Sequence, residues 1–196
     1  MLPVTLGTFE ATPEKQRLLR LTKSRLKLLE ETTVLSSGEK VELLLIFLRK
    51  KWIAEVDIGL ERKEASLDVL KQLGLPSYIE SYSGSYVEHW IQVGANQAVL
   101  DYVRSRRNEL SDLESGILYG FPLTHVLGFV GIVSKRIAPP ADVALFMLAG
   151  TYSSDFYEDE VRHFRRTWKE IEKISPKIAK EAWERYESYV EDRRRG

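Results

Sequence analysis

"PSYIESYSGSYVEHWIQVG", residues 76–94, is the stretch on which the fold turns. Aromatic and β-branched residues crowd both sides of Gly84, as in two paired strands meeting at a turn, and predict a β-hairpin. A two-residue turn at Gly84-Ser85 pairs Ser83 with Tyr86 and therefore Glu80 with His89. Directly paired residues share a face, so this register gathers Tyr78, Glu80, Tyr82, Val87, His89 and Ile91. A carboxylate beside an imidazole orients it and raises its pKa, which makes Glu80 and His89 the candidate catalytic pair. The same pattern describes an ordinary cross-strand pair on a wet face, and a one-residue slip in the turn dissolves it.

Working outward, "WIAEVDIGL" (52–60) alternates Ala54, Val56 and Ile58 against Glu55 and Asp57, the period of a half-buried strand. "TPEKQRLLRLTKSRLKLLEE" (12–31) predicts an amphipathic helix with Thr12 as N-cap, Pro13 at its first position, and Leu18, Leu19, Leu26 and Leu29 near one face. "SSGEKVELLLIFLRKK" (36–51) opens with a Ser36-x-x-Glu39 capping box and runs on so apolar that it should be buried on several sides. A short helix over 61–74 ends on Gly74, and further helices are expected at 96–107, capped by Asn96, and at 109–120. "DVALFMLAG" (142–150) suits an interior strand, although periodicity alone does not separate it from a buried helix.

The C-terminal stretch predicts a helical hairpin. Tyr157, Val161, Phe164, Trp168 and Ile171 recur at alternating fours and threes, "SPK" (175–177) breaks the chain, and Ile178, Ala182, Tyr186 and Tyr189 resume the stripe. The expected class is α+β: a small, mainly antiparallel sheet covered by helices, with residues 1–150 as the core and 151–196 as a hairpin packed on that core or on a partner chain.

Composition removes several functions. Of 196 residues, 43% are hydrophobic, and 29 basic side chains balance 29 acidic ones, so no global field draws the chain to nucleic acid or to an anionic membrane. The absence of cysteine excludes disulfides, thiolate metal sites and cysteine nucleophiles. The N-terminus lacks a basic region followed by an apolar core, and no apolar run approaches the roughly 20 residues that span a bilayer, so a cytoplasmic chain with no membrane partner is expected. Scarce Asn and Gln beside abundant Lys, Arg and Glu give a thermophile-like composition. No Walker loop, Gly-x-Gly-x-x-Gly or Gly-x-Ser-x-Gly is present, and no cofactor is expected.

"ESGILYGFPLTHVLGFVGIV" (114–133) places Gly116, Gly120 and Val126 at the intervals of a helix-turn-helix, so the segment 109–133 is a candidate nucleic-acid element. Its second helix offers only Thr124 and His125 to bases before turning wholly apolar, which favours a packed helical corner. The run Glu114-x-Gly116, Tyr119-Gly120-Phe121-Pro122-Leu123, Val126 and Gly128-Phe129 resembles a segment of uncharacterised prokaryotic proteins, in which a helix ends in Leu-Gly-Tyr-Pro and continues Asp-Val-x-Gly-Phe. Thr124-His125 stands here where the acidic residue before valine would fall. The resemblance carries no catalytic residue across and implies a helix, a tight turn and a second helix.

Asp155, Asp159 and His163 are spaced four apart and form the candidate metal set, although acids in a first helical turn are also a common response to the helix dipole. The basic clusters at 104–107, 162–166 and 193–195 would serve nucleic acid only if they converged with stacking aromatics such as Trp168 or Tyr102. The aromatic stripes of the hairpin predict a homodimer through 156–190, with Tyr157, Phe164, Trp168, Trp183 and Tyr186 as interface residues, unless the helix at 13–31 covers them. The expected function is a non-catalytic binding or assembly module, ahead of a small enzyme using Glu80 and His89 and of a nucleic-acid-binding protein using 109–133.

Overall fold

The computed structural model describes residues 19–57, 62–83, 87–106, 109–132, 136–137 and 152–195. Helix α1 (Lys23–Glu31) starts at Thr22, whose hydroxyl accepts from the Arg25 N–H at 3.3 Å. Leu19–Thr22 are not helical, so the helix does not run unbroken from Thr12 as expected; Thr12, Pro13 and Leu18 lie outside the described residues. A threonine that caps the backbone three residues on competes with helix continuing through it.

Helix α2 (Ser37–Phe47) forms the predicted capping box, with the Ser36 hydroxyl accepting from the Glu39 N–H and the Glu39 carboxylate accepting from the Ser36 N–H. Leu43, Leu44, Leu45, Ile46 and Phe47 are all buried, so the C-terminal half of this helix is enclosed on every side. It ends at Arg49, held at φ 60°, where the Lys50 N–H donates to the Leu45 carbonyl (2.8 Å) and the Arg49 N–H to the Ile46 carbonyl (3.0 Å).

Strand β1 (Ile53–Asp57), helix α3 (Lys63–Leu73), strand β2 (Ser77–Ser83) and strand β3 (Val87–Gly94) follow, with Gly74 taking the left-handed cap of α3 at φ 74°. The strands form an antiparallel sheet in the order β1-β3-β2. Its register corrects the expected hairpin: Ser83 pairs with Val87, Glu80 with Trp90 and Ser81 with His89. Glu80 and position 89 therefore fall on alternate faces of the pleat, and the turn leaves three residues, 84–86, between the paired ends, with Gly84 and Ser85 outside the described residues. The reason is the core. β3 is the central strand, and only this register sets Ile79 opposite Ile91, which is itself opposite Val56, so one apolar row crosses all three strands and packs toward α2.

Helix α4 (Gln97–Ser105) is capped by Asn96, whose side chain accepts from the Val99 N–H at 3.0 Å. Helix α5 (Asp112–Leu118) carries a second capping box between Ser111 and Glu114, and helix α6 (Leu123–Phe129) follows a turn. Two short strands, β4 (Arg136–Ile137) and β5 (Tyr152–Ser153), pair antiparallel; the expected strand at 142–150 lies outside the described residues. Helices α7 (Tyr157–Ile174) and α8 (Pro176–Arg195) form the predicted hairpin. Ser175 makes the corner: its hydroxyl accepts from the Ile178 N–H (3.2 Å) and donates to Glu30 of α1 (2.6 Å).

The hairpin docks on its own chain. Val161, Phe164, Ile171, Ile178, Ala179 and Ala182 join one apolar cluster with Leu29, α2 and the inner sheet face. Ion pairs Lys40–Glu181 (3.5 Å) and Lys50–Glu170 (3.1 Å) tie α8 and α7 to α2 and the turn after it. Among the described residues no helix is long and apolar enough to cross a membrane.

The α5–α6 corner rests on two glycines. A Cβ on Gly116 would lie 2.6 Å from a Val126 methyl, and one on Gly120, held at φ 79°, would lie 1.9 Å from the Lys50 carbonyl oxygen. Gly116→Ala is expected to destabilise the protein by about 1–3 kcal/mol, and by less in a Val126→Ala background where the obstructing methyls are gone. Gly120→Ala should be the more damaging change, because its obstruction is backbone and its φ favours glycine. Denaturant unfolding of the variants measures both, and equal losses for Gly116→Ala in the two backgrounds would contradict the contact.

Candidate functional sites

The structure separates the expected constellations before it assembles new ones. Glu80 is buried at 5% exposure and stands across from Trp90, so the register does not set it opposite His89 as expected. Asp155 precedes α7 and is exposed, Asp159 pairs with Arg162 at 3.0 Å, and His163 packs edge-on against Phe164 with ring centroids 5.2 Å apart. Burial first, then Lys50 and Arg166, hold the His163 pKa below its ordinary value. Among the described residues no group of three or more such side chains is placed to hold a metal ion.

A different pair occupies the interior. His125 of α6 and Glu160 in the first turn of α7 are 4% and 1% exposed, with the imidazole Nδ1 3.6 Å from a Glu160 oxygen. That oxygen also accepts from the Ser153 N–H at 3.1 Å, so one carboxylate binds β5 to α7 while the helix dipole favours its charge. Phe121 stacks on the His125 ring at 5.1 Å, and Tyr152 meets it edge-on at 5.4 Å. Burial holds the His125 pKa below its ordinary value and outweighs the opposing pull of Glu160. The folded chain thus favours the neutral imidazole at His125, which aromatic rings enclose. His125 was one of two side chains expected to reach nucleic-acid bases from the second helix of 109–133, and it points into the core instead. The outward residues of α6, Leu123 and Phe129, are apolar.

The sequence signal for Glu160 lay in its spacing: three residues after Tyr157 and four before Phe164, it shares the buried stripe of α7 although it belongs to an acidic run. That stripe runs through Val161, Phe164, Thr167 and Ile171, with Thr167 buried and Trp168 displaced to the edge. The expected interface residues therefore divide. Phe164 is buried beside His125 and Tyr152, and Tyr157 packs on Tyr152 at 5.9 Å. Trp168, Trp183 and Tyr186 face outward, half-buried, as a row: centroids are 6.3 Å apart for the two indoles and 5.9 Å for Trp183 and Tyr186.

The two indoles line a groove of about 780 Å³ between α7 and α8. Arg165 and Lys169 stand on its α7 rim, and Glu184 and Glu187 on its α8 rim. A smaller groove of about 390 Å³ continues along α7 past Arg162 and Arg166. Of the 104–107 cluster, Arg104 lies over the Tyr78 ring at 5.5 Å and Arg106 pairs with Glu109 at 3.5 Å. Comparison with known protein families, with curated proteins and with solved structures finds no match to this chain.

His125 and His163 each favour the neutral form in the folded chain, so the unfolded chain takes up more protons at these two groups once the pH drops toward their unfolded values. Stability is therefore expected to be full above about pH 7 and to fall as the pH passes below about 6.5. His125→Phe should flatten that decline, and His163→Gln should remove what remains. Urea midpoints across this range provide the measurement, and an undiminished slope in the double variant would contradict the assignment.

Proposed function

We propose that the chain is a non-catalytic assembly module that self-associates through the outer face of the α7–α8 hairpin. The observation that carries the reading is the Trp168–Trp183–Tyr186 row, which lines an open groove on a face whose opposite side is already covered by α2. Large amphipathic rings in a shallow groove are the anchors on which protein interfaces concentrate their energy. The acid–base pairs lend catalysis no comparable support: Glu80 and His89 are apart in register, and His125 and Glu160 are closed off by aromatic rings.

One observation favours nucleic acid as a second reading, since Arg162, Arg165, Arg166 and Lys169 run beside an exposed indole edge. Assembly is preferred because Glu172, Glu184 and Glu187 line the same indole groove and would repel phosphates.

Sedimentation velocity at micromolar concentration tests the proposal. A monomer–dimer equilibrium is expected, and Trp183→Glu should weaken it at least tenfold, about 1.4 kcal/mol, while leaving the helical content unchanged. A wild-type chain that stays monomeric at every concentration would overturn the reading.

A further inference from the structure

We infer that the two copies dock about a two-fold axis parallel to the helices of the arm, so that α7 of each copy lies across α8 of the other, with opposite charge stripes selecting partner and orientation. The inference rests on the assembly reading above and adds its specificity determinant. On α7, Arg162, Arg165, Arg166 and Lys169 recur at i, i+3, i+4 and i+7 and so form one basic stripe, all four exposed. On α8, the exposed Glu184 and Glu187 form an acidic stripe on the other rim of the groove.

The heights of these charges follow from the hairpin. Helices α7 and α8 turn back at Ser175, and the ring contact between Trp168 and Trp183 sets those two positions level. Counting away from the corner then brings Arg165 level with Glu187, and Lys169 within a turn of Glu184. A two-fold axis along the helices keeps every height and exchanges α7 for α8. Arg165 and Lys169 then face Glu187 and Glu184 of the partner subunit, and toward the corner Glu172 faces Lys180 of the partner subunit. Trp168 meets Trp183 of the partner subunit at the centre. All neighbouring helices in the resulting four-helix layer run antiparallel, the geometry of up-down bundles.

A two-fold axis across the helices sets α7 on α7 instead and brings the basic stripe against a helix with the same stripe. Where that axis crosses at the level of the stripe, Arg165 meets Arg166 of the partner subunit and Arg162 meets Lys169 of the partner subunit, and these like charges oppose that placement. Exposed pairs on the rims, among them Arg162–Asp159 at 3.0 Å and Lys180–Glu184 at 3.7 Å, exchange readily with partner charges.

The test is charge reversal with mixing. Arg165→Glu/Lys169→Glu and Glu184→Lys/Glu187→Lys should each associate at least tenfold more weakly than wild type, because each faces its own sign in its homodimer. Mixed together they should associate as a one-to-one heterodimer, since every opposed pair is then complementary, and the wild-type dimer should weaken with added NaCl. As a check independent of charge, the chain has no cysteine, so Lys169→Cys and Glu184→Cys can be oxidised alone and mixed. Disulfide-linked dimers are expected chiefly from the mixture.

Wild-type dimerisation with no recovery on mixing, or Lys169→Cys linking to itself as readily as to Glu184→Cys, would overturn the docking geometry while leaving assembly intact. A wild-type monomer would remove both readings. If that monomer bound a poly(dT) oligonucleotide and lost it on Arg165→Glu/Lys169→Glu, the stripe would be a nucleic-acid surface.

Discussion

The constraint on which the rest depends is that the C-terminal half of α2, Leu43–Phe47, has no polar face. Burying that apolar half requires neighbours on every side, and β1, α7 and α8 are placed to supply them. The inner face of the sheet covers one side through Ala54, Val56, Ile91 and Val93, and the α7–α8 hairpin covers the other through Ile171, Ile178, Ala179 and Ala182. The two charged residues that α2 does bury are each satisfied, Glu39 by the capping box and Lys40 by Glu181. A buried ammonium without its carboxylate is costly, so Lys40 also fixes where α8 must lie.

Legibility in the sequence followed the range of the interaction. Local signals were readable: the capping box at Ser36, the Asn96 cap, the Gly74 stop and the Ser175-Pro176 corner each involve residues within four positions of one another. The hairpin register was not, because a turn rule considers two strands whereas the structure aligns a row of three, and Ile79–Ile91–Val56 outweighs the preferred turn length. The His125–Glu160 pair joins α6 to α7 across a separation that no local pattern spans. Its members read separately as a possible base-contacting residue and a helix-start acid. Thr22 shows the same limit at short range, since a continuous apolar period from Leu18 to Leu29 gave no sign that a hydroxyl would cap the helix in its middle.

The hairpin illustrates how one amphipathic pattern serves two surfaces. A stripe of Tyr157, Val161, Phe164, Trp168 and Ile171 is wider than the strip α2 and β5 cover, so packing takes Val161, Phe164 and Ile171, adds Thr167, and leaves Trp168 at the margin. On α8 the small residues Ala179 and Ala182 go inward, allowing close approach to α2, and the large rings of Trp183 and Tyr186 remain half out. Interior packing thus takes Phe164, Ile171 and Ile178 together with the small residues, and leaves the two indoles and Tyr186 at the outer groove.

That sorting bears on affinity as well as on location. Ordering flexible side chains at an interface opposes association, and a groove whose walls are two helices already held by Ser175–Glu30, Lys40–Glu181 and Lys50–Glu170 has less left to order. A chain with 29 charges of each sign has no net field to orient an approaching partner, so any electrostatic guidance must come from local segregation of charge. The α7 and α8 rims carry that segregation: away from the corner the α7 rim has cations and the α8 rim carboxylates at matched heights, and toward the corner the signs reverse with Glu172 and Lys180. Rigidity matters here because the Coulomb advantage of opposed stripes depends on keeping their spacing, and a loosely held arm would average it away.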